Sequence, residues 1–188
     1  MNKKKKKSNF LPEGYERPKS SGKYMRLEEG ENKFRVLSPT IVGWEYWKRE
    51  DDNPIPYRVK KEEDVPKKYI NTSNWREKAR FFWAFVVWNY EAQCVQILEI
   101  TQKTIQNAIE DLSDNEKWGN PMDYDITITR EEENRTKYSV LPDPKEEVSE
   151  EIVKALDAST IKLEALFENK DPFEVDDGEE IVADDVPF

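Results

Sequence analysis

The chain has 188 residues with 40 Asp/Glu and 30 Lys/Arg, and its hydrophobic share of 36% leaves part of it outside any core. It has no His and one Cys (Cys94), which excludes Ser-His-Asp and Cys-His catalysis, a Cys/His zinc site and an internal disulfide. No run of about 18 apolar residues is present and Asn9 to Arg26 lacks an apolar signal core, so the expectation is a soluble, cytoplasmic protein with no membrane partner and no cofactor.

The net charge of −10 conceals a gradient. Residues 1–80 hold 21 Lys/Arg against 13 Asp/Glu, residues 81–142 hold 5 against 11, and residues 143–188 hold 4 against 16. A basic working surface followed by an acidic tail is the reading, and local field rather than overall pI decides which partners approach.

Residues 1–32 open with Lys3 to Lys7 and continue with Pro and Gly but no periodicity, which reads as a basic, irregular arm. Residues 33–142 read as the folded domain. Asn32 to Lys48 is a strand that Ser38-Pro39 or Gly43 bends or bulges. Residues 49–79, with Pro54, Pro56 and Pro66, read as a long loop of the functional kind. It carries Arg49, Arg58, Lys60, Lys61, Lys67, Lys68, Arg76 and Lys78, interleaved with Tyr57, Tyr69 and Trp75.

Arg80 to Tyr90 is a strand apolar on both faces, Cys94 to Ile100 returns from it, and Thr101 to Leu112 switches to a helical period. Tyr124 to Arg130 alternates, and Thr136 to Leu141 is its partner strand. An apolar stripe from Val148 to Phe167 predicts a helical segment (143–167) that Ser159-Thr160 splits. Residues 168–188 are acidic, lack a core pattern and read as a disordered tail.

This order predicts a mainly β protein: an OB-fold, a five-stranded barrel with one helix between its third and fourth strands, followed by the C-terminal helical segment and the tail. The basic loop falls between the first two strands, where that fold binds oligonucleotides. Aromatic rings stack on any base and neighbouring cations neutralise phosphates. The candidate stacking residues are Trp44, Trp47, Trp83 and Trp88, with Tyr46, Tyr57 and Trp75. The candidate phosphate contacts are Arg35, Lys48, Arg49, Arg58, Lys60, Lys61, Arg80, Lys103, Arg130 and Lys137. Which face of Arg80 to Tyr90 looks inward is open at this level.

The chain ends Ala183-Asp184-Asp185-Val186-Pro187-Phe188. This resembles the tip of the bacterial single-stranded DNA-binding proteins, Asp-Asp-Asp-Ile-Pro-Phe, with Val186 in place of Ile and Ala183 in place of the first Asp. The likeness does not extend over the body, where a basic arm, the 49–79 loop and the 148–167 helix depart from that family. The whole is similar to a phage-encoded single-stranded DNA-binding protein. The resemblance implies a non-enzymatic protein of a bacterial host, and the departures from the bacterial family's tetrameric pattern make a monomer or dimer the expectation. Such a protein would coat single-stranded DNA in replication, recombination or repair and recruit partner proteins through Asp184, Asp185, Val186, Pro187 and Phe188.

Two other readings compete. One is a recombination mediator or annealing accessory on the same core. The other is a metal-dependent nuclease using Asp123, Asp125, Glu99 and Lys103, although Asp125 alternates like an ordinary strand residue.

Overall fold

The computed structural model describes residues 22–174. Among them eight strands join in one sheet: β1 (Tyr24–Met25), β2 (Gly30–Val36), β3 (Ile41–Glu50), β4 (Asn53–Val59), β5 (Arg80–Asn89), β6 (Cys94–Ile100), β7 (Asp125–Glu131) and β8 (Lys137–Pro142). The helices are α1 (Lys67–Ile70), α2 (Lys103–Asp114) and α3 (Glu150–Asp157), with a 3-10 turn at Leu163–Glu168. The protein is mainly β, with a helix between β6 and β7 as the period switch predicts.

β5 organises the sheet. One of its edges pairs with β6, from Trp83↔Ile100 to Asn89↔Cys94. Its other edge is shared, β2 taking Val87 to Asn89 and β3 taking Arg80 to Ala84. The chain bends between β2 and β3, where Pro39 has no N–H to give a ladder. The Ser38 hydroxyl accepts from Val86 N at 2.9 Å and Leu37 N donates to Val86 O at 2.8 Å, so the bend stays stitched to β5.

Phe85 and Val87 face the main core, with Phe34, Leu98, Ile100, Ile126 and Ile128 from the sheet and Ile105 and Ile109 from α2. The opposite face, Phe82, Ala84, Val86 and Trp88, is covered by the chain's own C-terminal stretch. Ile152 and Leu156 of α3 lie on Val86 and Trp88; Leu163, Leu166 and Phe167 lie on Phe82, Ala84 and Ile97. That is why β5 is apolar on both faces. Ser149 caps α3 by accepting from Ile152 N, and Glu150 and Glu151 complement its N-terminal dipole.

Four expectations need correction. The sheet does not close into a five-stranded barrel, because its path runs β1-β6-β5-β2-β7-β8 with β1 and β8 at open ends. The free edge of β6 is taken in parallel by β1, Tyr24 opposite Ile97 and Met25 opposite Leu98. Met25 is buried in the core and Arg130 Nη1 donates to Leu27 O at 2.7 Å, so residues 22–29 are part of the fold rather than of an irregular arm.

Residues 49–79 are likewise not a loop. Asp51 and Asp52 (φ 48° and 64°) make a two-residue turn, and β4 pairs with β3 from Trp44↔Val59 to Glu50↔Asn53. β4 pairs with β3 alone, so Pro54 and Pro56 sit on an edge strand, where missing N–H groups cost no ladder bond. Finally, residues 168–174 pack: Phe173 meets Tyr24 edge-on at 5.8 Å. The lysine run and the rest of the acidic tail lie outside the described residues. Among the described residues no helix is long and apolar enough to cross a membrane.

Candidate nucleic-acid interface

β3 outruns β5. Their register stops at Glu45↔Arg80, so from Tyr46 to Glu50 this edge of β3 has no strand partner while β4 holds the other. The chain leaving β4 folds back beside that edge and is anchored by Val65, Tyr69 and Ala79 packed on Tyr46. Ala79 N donates to Tyr69 O at 2.9 Å and closes the excursion. Between the open edge and residues 68–77 lies a groove of about 960 Å³, lined by Trp47, Lys48, Arg49, Glu50, Pro54, Lys68, Tyr69, Asn74, Arg76 and Glu77.

The groove is basic and aromatic together. Lys48 Nζ stands 4.0 Å from the Tyr57 ring centroid and Lys68 Nζ 4.7 Å from that of Tyr69. Arg76 and Arg80 lie 5.4 and 5.9 Å from the Trp75 ring. Of the two lining carboxylates, Glu50 is engaged by the Tyr57 hydroxyl at 2.8 Å, and that bond pushes the Tyr57 hydroxyl pKa up. Among the described residues Lys48, Arg49, Lys68 and Arg76 form no ion pair, unlike Lys60, Lys61 and Arg58. Trp75 is 68% exposed and Trp47 46%.

Of the stacking candidates, then, Trp47 lines the groove, and Trp75 stands exposed on the excursion that walls it. Tyr57 supports Lys48. Trp44 is half-buried against Phe81, ring centroids 5.6 Å apart. Trp83 packs on the main core and lines a separate apolar cavity of about 250 Å³ with Val36, Pro39, Ile109 and Met122. Two candidates are corrected outright. Trp88 is buried beneath α3, and Tyr46 is buried between Tyr57 (5.8 Å) and Tyr69 (4.8 Å). Burial also raises the Tyr46 hydroxyl pKa.

Of the cations, Lys48 and Arg49 line the groove, and Arg80 reaches the Trp75 ring beside it. Arg35 is corrected: it is buried, donating to Met122 O at 3.0 Å, Asp125 Oδ1 at 3.1 Å and Glu146 O. Arg58 is corrected too, buried between Glu45 and Glu99. Arg130 is spent on Leu27 O and Glu132. Lys60 pairs with Glu164 at 3.1 Å and Lys61 with Glu63 at 3.5 Å. Lys103 and Lys137 are exposed but do not line the groove. Asp184, Asp185, Val186, Pro187 and Phe188 lie outside the described residues.

The selection missed Lys68, Tyr69 and Arg76. All three sit in the basic-aromatic stretch that marked the loop, but nothing local ranks them above Lys60 or Arg58. The distinction is only whether a carboxylate from elsewhere in the chain arrives.

The acidic candidates are engaged. Asp125 is buried and accepts from Arg35, from the Tyr90 hydroxyl at 2.9 Å and from Lys33 at 3.4 Å. Glu99 is held by Arg58, and burial outweighs that cation to raise its pKa above the usual carboxylate value. Among the described residues no three His, Cys, Asp or Glu side chains converge on a point where a metal ion would sit.

No known family model matches the chain, and no curated protein is significantly similar to it in sequence.

Proposed function

We propose that this chain is a binding module for single-stranded DNA rather than an enzyme. It would coat the strand through the groove beside β3 during phage or prophage replication or recombination. The tip from Asp184 to Phe188 would recruit partner proteins. One observation carries the reading: four cations free of carboxylate partners line a groove with an exposed indole at its edge. Unpaired cations bind phosphates without first breaking an ion pair, and an exposed ring stacks on a base irrespective of its identity.

The order of strands supports it. A bent first strand (β2 and β3) shared between β5 and β7, and a helix between β6 and β7, are what an OB-type core would have. β1 would then occupy its open seam. On that reading the groove lies between the first and second core strands, a position such cores use for oligonucleotides.

The test is a tryptophan-fluorescence titration of the full chain with oligo-dT at several salt concentrations. Quenching is expected, with affinity falling as salt rises. Trp47→Ala should weaken binding about tenfold, the scale of one stacked base. No quenching and no binding at low salt would overturn the reading.

A further inference from the structure

Trp47 is exposed, yet its one polar atom is occupied. The indole Nε1–H donates to Glu45 Oε1 at 3.2 Å. Glu45 itself is buried, and its second oxygen lies 3.1 Å from Arg58 Nη2. The same Nη2 donates to Glu99 Oε2 at 2.9 Å and lies 2.7 Å from Oε1. A carboxylate from β3 and one from β6 therefore share a single guanidinium that is nine-tenths buried. One cation does not balance two carboxylates, so Glu45 retains acceptor capacity that a nearby N–H satisfies. Indole has no other hydrogen-bonding atom.

We propose that Glu45 is a positioning residue, and that the chain Glu99–Arg58–Glu45 holds Trp47 by its only polar atom so that the groove is offered a π-face and no donor. The inference rests on the single-strand reading of the groove. It adds that Trp47 stacks on any base and reads no base edge, which makes this end of the groove indifferent to sequence. It also assigns a use to a buried charged triad that packing alone does not require.

The experiment compares Glu45→Leu and Glu45→Gln in the full chain. The Trp47 indole N–H resonance, assigned with Trp47→Phe, reports the bond without any ligand. Oligo-dT, oligo-dA and oligo-dC titrations report the platform.

Glu45→Leu should move that resonance and lower oligo-dT affinity about fivefold, a fraction of one stacked base. Glu45→Gln keeps an acceptor oxygen and should restore affinity to within about twofold. Glu45→Leu should add nothing to Trp47→Ala. An unmoved resonance, or losses that multiply in the double variant, would overturn the proposal. So would a wild-type chain whose three affinities differ through Trp47. If the wild type binds no oligonucleotide, the groove reading falls and the resonance alone judges the positioning. Should Glu45→Leu not fold, indole N–H exchange in the wild type decides. Trp47 should exchange more slowly than the more exposed Trp75, and equal rates would overturn the proposal.

Discussion

Gly43 has a use that its sequence neighbourhood does not show. A Cβ there would lie 2.5 Å from Val59 O and 2.8 Å from Phe167 Cε1, so the missing side chain is the notch in which Phe167 seats. The bend expected at Ser38-Pro39 or Gly43 falls at the former, between β2 and β3. Gly43→Ala should cost about 1–3 kcal/mol, the range for overpacking against atoms that cannot move, read as a lower midpoint in urea. An unchanged midpoint would show that Phe167 seats elsewhere.

Tyr90 is a second residue whose state the fold sets. Burial, its bond to Asp125 and that carboxylate's charge push its hydroxyl pKa up to about 12. The folded value lies above the unfolded 10.0, so the stabilisation is complete below pH of about 10 and is lost as pH rises through about 12. Tyr90→Phe should lower stability at neutral pH by about 1 kcal/mol, the net value of one hydrogen bond. It should also flatten this alkaline limb, followed by chemical denaturation at pH 8 to 12.

At the scale of elements, the β3–β4 hairpin presents the groove. Its turn puts two aspartates at positive φ, a conformation glycine and asparagine adopt more readily. Replacing Asp51-Asp52 by Asn-Gly should stabilise the protein by about 1 kcal/mol, since left-handed backbone costs other residues about that much. The melting temperature should rise while oligo-dT affinity, measured in the same buffer, stays within about twofold. A fall in melting temperature would mean that the aspartates make a contact that outweighs their backbone cost. The C-terminal stretch is the other element that matters. α3 and Leu163–Glu168 are amphipathic and would be unstable alone; packing on the outer face of β5 is what orders them.

At the scale of the whole molecule, several basic side chains of the described residues 22–80 meet acidic partners from further along the chain. Lys60 meets Glu164, Lys23 meets Asp171, and Arg58 and Arg35 are neutralised inside. The bond from Lys23 holds the Asp171 carboxyl below its usual range. What survives as unpaired positive charge among the described residues includes Lys48, Arg49, Lys68 and Arg76 around one groove. The salt dependence of oligo-dT binding should therefore weaken on removing any of these, by about 0.7 in the log–log slope per phosphate contact. Removing Lys103 or Lys137 should leave the slope within error. Equal effects from both sets would point to diffuse attraction rather than a groove.

Local pattern marks β2, β3 and β5 to β8 in their order, because alternation and the switch to a helical period are local signals, whereas β1 and β4 carry no such signal and read as arm and loop. β5, β6, β7 and β8 lie within one or two residues of their periodic runs, and the split of 148–167 at Ser159-Thr160 follows the same logic. It also located the basic-aromatic stretch. Tertiary structure decided what periodicity cannot encode. Arg35 and Arg58 look like any other cation until Asp125, Glu45 and Glu99 arrive from distant strands. Trp88 and Trp47 are equally aromatic until α3 buries the first and leaves the second exposed. The open sheet has the same origin: β1 is two residues long, too short to leave a pattern, yet it takes the edge of β6. Composition fixes how many cations and rings a chain has; which of them remain free depends on contacts between residues far apart in sequence.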